Sequence, residues 1–116
     1  MSVLVGKQAP DFKAAAVLGD GNIVDDYSFS ERTKGKYVAV VFYPLDFTFV
    51  CPTELIALDH RLDELKSRGV EVLAVSVDSQ FTHAAWRNTP VDKGGIGPVR
   101  YTMIADVSHA ITQAYD

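Results

Sequence analysis

Residues 70–77, Val-Glu-Val-Leu-Ala-Val-Ser-Val, form a nearly unbroken apolar run of strand-forming residues. Such a run has no polar side to turn to water, so it predicts a central strand covered on both faces. Double coverage calls for helices, and the neighbouring sequence supplies them. Upstream, Leu55, Leu58, Leu62 and Leu65 recur at helical spacing with charges between them, and Gly69 is a natural stop. Before that helix, residues 37–43 predict a second strand. After residue 77, Asp78 or Ser79 can cap a helix through Trp86 or Asn88, which Pro90 follows. A glycine loop, a short strand around Tyr101–Ala105 and a last helix from about Ser108 to Tyr115 come next. At the start, Phe12–Leu18 and Asn22–Tyr27 flank Gly19-Asp20-Gly21, whose Asp-Gly pair favours a hairpin. A polar segment, residues 28–36, links the two regions. The order predicts an α/β layer of parallel strands with right-handed crossovers behind an N-terminal β-hairpin. Its 116 residues suffice for one domain, residues 1–116. With no closing strand or capping glycine before Asp116, that domain reads as incomplete at its C-terminal side.

Composition narrows the function. The formal net charge is −4 and the eleven basic residues are scattered, which argues against nucleic acid. No apolar run is long enough to span a bilayer, and the first residues lack the pattern of a secretory leader. One cysteine excludes an intrachain disulfide framework, so the chain reads as soluble and cytoplasmic. His60, His83 and His109 lack metal-ligand spacing and read as surface residues. Gly94-Gly95-Ile96-Gly97-Pro98 lacks the spacing of a phosphate loop and reads as a turn. Neither metal nor organic cofactor is called for.

The single cysteine carries the chemistry. Cys51 follows the strand at 37–43 and precedes Pro52, a residue suited to the first helical position. A thiol there faces unpaired N–H groups and the positive end of the helix dipole, which favours a thiolate and hence a nucleophile. Ligand sites in α/β sheets lie beyond the C-terminal ends of the strands, where Cys51 falls. Thr48, three residues earlier, can turn its hydroxyl to the sulfur or to what the sulfur attacks; an ordinary cap is its structural alternative. Pro44 ends the strand and can shield the thiolate. Glu54 suits the first helical turn but would raise the thiol pKa unless a cation stands between them.

Phe42-Tyr43-Pro44-Leu45-Asp46-Phe47-Thr48-Phe49-Val50-Cys51-Pro52-Thr53-Glu54 resembles the active-site segment of typical two-cysteine peroxiredoxins, the alkyl hydroperoxide reductase C and thiol-specific antioxidant family. The resemblance continues through Gly6–Phe12, Val77-Asp78-Ser79, Trp86–Pro90, Gly94–Pro98 and Ala105-Asp106-Val107. It implies a thioredoxin-like fold and a thiol-dependent peroxidase acting on hydrogen peroxide and organic hydroperoxides. Cys51 is then the peroxidatic cysteine, which becomes a sulfenic acid. Thr48 orients the peroxide, Pro44 shields the sulfur, and Glu54 holds a catalytic arginine. By the same resemblance that arginine and a resolving cysteine fall beyond Asp116, as do the closing strands and C-terminal helix. Arg100 has no family motif around it and reads as a solvated charge. The implied partners are a thioredoxin-like or AhpF-like reductant and further copies of the chain, with dimer-to-dimer contacts near Phe47, Phe81 and Trp86, for which core packing is the alternative. A thiol–disulfide oxidoreductase is disfavoured, because Thr48 stands where C-x-x-C needs its first cysteine. A non-catalytic, chaperone-like binding module is the reading from another class.

Overall fold

Asp20 turns the chain at the hairpin by accepting the backbone N–H of Asn22, 2.9 Å away. The computed structural model describes residues 4–48 and 51–115, without the Cys51 side chain. The strands are β1 (Lys13–Val17), β2 (Ile23–Ser28), β3 (Tyr37–Phe42), β4 (Val70–Ser76) and β5 (Thr102–Ala105). The helices are α1 (Phe29–Arg32), α2 (Cys51–His60), α3 (Leu62–Ser67), α4 (Gln80–Arg87) and α5 (Ala110–Ala114). The sheet order is β2-β1-β5-β4-β3. Strands β3, β4 and β5 run parallel, while β1 is antiparallel to both β2 and β5. The α/β layer and the N-terminal hairpin are both present.

The apolar run of β4 does what its composition requires. Val72 and Ala74 enter a cluster with Leu55, Leu62, Trp86, Tyr101 and Met103. Leu73 and Val75, on the opposite face by strand alternation, join Ala16, Tyr27, Ile104 and Ile111. All four β4 residues are buried. Full burial of a leucine such as Leu55 or Leu62 contributes about 1.5–3 kcal/mol, so the leucine stripe is a principal tie between helix and sheet.

Three boundaries differ from the sequence reading. The leucine-striped helix divides at Arg61, whose N–H is shared between the Ala57 and Leu58 carbonyls, both at 3.2 Å. That bifurcated bond tightens one turn without diverting the stripe. The polar segment is not only a link but contains α1, a single helical turn. The last helix starts later than Ser108, because Asp106 captures the N–H groups of Ile111 and Thr112 at 3.0 and 2.8 Å. His109 meanwhile takes a left-handed φ of 66°. No helix among the described residues is long and apolar enough to cross a membrane.

Candidate active site

Tyr43 extends the β3–β4 ladder by one bond, donating its N–H to the Val75 carbonyl at 3.0 Å. Pro44 has no N–H to continue it, and the chain leaves the sheet in a loop whose Pro44, Leu45 and Phe47 are exposed while Asp46 is buried. Cys51 is the first residue of α2 and Pro52 lies in its first turn, which places the cysteine backbone at the helix start. The Cys51 side chain, with Phe49 and Val50, lies outside the described residues.

Thr48 is half-buried, and its hydroxyl donates to the Leu45 carbonyl at 3.2 Å. The oxygen keeps its lone pairs, and a bond of that length is readily exchanged. Thr48 also lines a cavity of about 180 Å³ with Pro52, Thr53, Ile56, Val91, Gly94 and Gly95. The glycine loop is thus a wall of the space in front of α2 as well as a turn. Gly95 packs so closely on the Thr89 backbone that no Cβ fits there. Pro44 and Glu54 are both exposed and neither lines the cavity. Glu54 makes no ion pair among the described residues. The structure therefore brings Thr48, the helix start and the glycine loop together, and does not bring Pro44 or Glu54 into that cavity.

Beneath the loop lies a buried polar network absent from the sequence reading. The Tyr43 hydroxyl donates to Asp46 Oδ1 at 2.5 Å, and His83 Nδ1 meets Asp46 Oδ2 at 2.6 Å. His83 Nε2 donates to the Ile104 carbonyl at 2.9 Å. The Asp46 N–H in turn donates to Asp78 Oδ2 at 2.7 Å, an oxygen that also accepts the Ser76 hydroxyl at 2.8 Å. The side chains of His83 and Asp46 are wholly buried. Burial and the Asp46 carboxylate push the Tyr43 phenol far up. His83 is therefore buried rather than at the surface, where its lone position in the sequence puts it. It shares the inward face of α4 with Trp86 and Arg87 at the i, i+3, i+4 spacing, the one sequence signal that could have shown it. His60 and His109 are exposed as expected.

The three aromatics divide. Trp86 is fully buried and donates its Nε1–H to the Gly94 carbonyl at 3.0 Å, so it packs the core and anchors the glycine loop. Phe47 and Phe81 are 48% and 66% exposed, which leaves them able to meet a partner. Arg100 sits in the open on Asp59 and Asp63, whose carboxylates raise its pKa. No set of three or more His, Cys, Asp or Glu side chains that could hold a metal occurs among the described residues.

Comparison with known proteins agrees with this geometry. A family model described as "AhpC/TSA family" matches residues 5–116. An alkyl hydroperoxide reductase C of Helicobacter pylori is 48% identical over 114 residues, covering 98% of this chain and 58% of the relative. The reduced 2-Cys peroxiredoxin of Plasmodium vivax superposes with a TM-score of 0.92 at 49% identity, over 98% of this chain and 58% of that one. A structure named thioredoxin peroxidase I, from Plasmodium yoelii, gives a TM-score of 0.88 at 55% identity, covering 94% and 62%. The chain spans a little over half the length of the relatives it matches.

Proposed function

Since the chain belongs to the AhpC/TSA family, we propose that it is a thiol-dependent peroxidase that reduces hydrogen peroxide and organic hydroperoxides at Cys51. The observation that carries this reading is Thr48, which flanks the cavity in front of the helix that Cys51 begins. In the proposed step the Cys51 thiolate attacks one peroxide oxygen. The S–O bond forms as the O–O bond breaks, and the departing oxygen leaves as water or an alcohol after taking a proton. Thr48 gives its hydroxyl hydrogen to the peroxide in exchange for the Leu45 carbonyl, stabilising the charge that develops as the bond breaks. Pro44 limits water at the mouth of the site. Glu54, exposed and without an ion pair among the described residues, offers its carboxylate to an arginine of the kind the family resemblance implies.

The sulfenic acid is then resolved by a second thiol and returned to thiol by a thioredoxin-like or AhpF-like dithiol. A relative named as a thioredoxin peroxidase supports that reductant. Exposed Phe47 and Phe81 support contact with further copies of the chain. A single cysteine suits a reducing compartment such as the cytoplasm. The test is to expose the folded chain to hydrogen peroxide, trap the product with a sulfenic-acid reagent and weigh it. One added oxygen on Cys51, absent in Cys51→Ser, is expected. An unchanged mass under excess peroxide would overturn the reading and favour a binding module.

A further inference from the structure

The loop bearing Pro44 and Thr48 is held from beneath by groups that the peroxide chemistry does not touch. Asp46 sits midway between those two residues, and all its polar atoms facing the interior are engaged. One carboxylate oxygen takes the Tyr43 hydroxyl, the other meets His83, and the amide N–H goes to Asp78 at the end of β4. His83 carries the clamp across to β5 through the Ile104 carbonyl. Both ring nitrogens of His83 are engaged, Nδ1 by Asp46 and, at 3.3 Å, the Tyr43 hydroxyl, and Nε2 by the Ile104 carbonyl. The loop has to be held, because it is strained. Phe47, next to Asp46, has a φ of 59°, a left-handed conformation that bulky residues avoid, yet its ring is half exposed. Anchors on either side fix it there: the Asp46 clamp and the Thr48 hydroxyl bond to Leu45.

We propose that Asp46 and His83, seated on Tyr43, are positioning residues for the peroxide step, fixing the strained loop so that the Thr48 hydroxyl is presented to the peroxide bound at Cys51. This rests on the thiol-peroxidase reading. The clamp acts through Thr48, so its loss should slow reactions that need an oriented oxygen and spare those that need only the thiolate.

Two rates on the same folded protein separate these cases: oxidation of Cys51 by hydrogen peroxide and its alkylation by iodoacetamide. His83→Leu fills a similar space and removes both hydrogen bonds. It is expected to lower the peroxide rate about tenfold, the scale of one lost transition-state contact, with alkylation changed by less than about twofold. His83→Asn puts an amide N–H where Nδ1 stands and is expected to recover most of the peroxide rate. If His83→Leu does not fold, Tyr43→Phe removes a single hydroxyl and is expected to shift the same ratio in the same direction. Equal losses in both rates, an unchanged ratio, or an asparagine no better than leucine would overturn the inference and leave the peroxidase reading intact. A wild-type chain oxidised no faster than a free thiol would sink both.

Discussion

Two buried nitrogen bases lie one turn apart on α4 and do opposite work. Arg87 reaches toward the hairpin, where its guanidinium donates to the backbone carbonyls of Val17, Gly19, Val99 and Tyr101. Desolvation pulls its pKa down, and no carboxylate pairs with it among the described residues. His83 reaches the other way, to a side chain in the loop before Cys51. Arg87 joins backbone to backbone and thus ties the end of β1 and the hairpin turn to the segment entering β5. His83 joins the scaffold to the loop proposed above to carry the chemistry. One helix face therefore anchors backbone alone at one end and, at the other, also a side chain of that loop.

The division can be broken at its architectural end first. Arg87→Met keeps the stem but strands four carbonyls, and stability should fall by about 3 kcal/mol. The chemical-denaturation midpoint reads that loss, while the ratio of peroxide oxidation to alkylation at Cys51 should stay at its wild-type value. A shifted ratio would mean the two ends of α4 are not separate.

Alkali tests the buried phenols shared by both regions. Burial raises Tyr27 from the ordinary phenol value of 10.0 to about 12, and Tyr43 and Tyr101 also move up. The folded chain thus holds these protons more tightly than the unfolded one. Their contribution is complete below about pH 10, and that of Tyr27 is lost as pH climbs toward about 12. Unfolding free energy measured against pH should be level below that window and fall through it. Tyr27→Phe should make the fall shallower, and a level profile to pH 12 would contradict the assignment.

Thr48→Val sharpens the reactive end. It keeps shape and loses the hydroxyl, so peroxide oxidation of Cys51 should slow by more than about tenfold, near 1.4 kcal/mol. The melting temperature should barely move, and Thr48→Ser should behave as wild type. Equal rates for valine and threonine would make Thr48 a structural residue only. The smallest effect belongs to the helix itself. Ser79 caps α4 by accepting the Thr82 N–H at 3.1 Å, and Ser79→Ala should cost about 1 kcal/mol without touching the ratio.

What could be read from the chain follows how local each cause is. The hairpin, the doubly covered β4 and the leucine stripe announce themselves within a few residues, because periodicity and turn chemistry are local. Pro52 at the helix start is legible for the same reason, standing directly after Cys51. His83 was misplaced because its partner, Asp46, is 37 residues away and a lone histidine carries no mark of burial. Arg87 was unreadable as an anchor because its acceptors are carbonyls, which every residue has. Arg61 divides a helix with neither glycine nor proline to announce it.

Gly95 has a consequence for how this chain can vary. Since a Cβ there would run into the Thr89 backbone, every one of the other amino acids, alanine included, must force the loop off Trp86 or reshape the wall facing Thr48. In a library carrying all substitutions at each site, position 95 should stand out as an empty column under selection for folding. Gly94 and Gly97, with positive φ but no such crowding, should tolerate asparagine among the survivors.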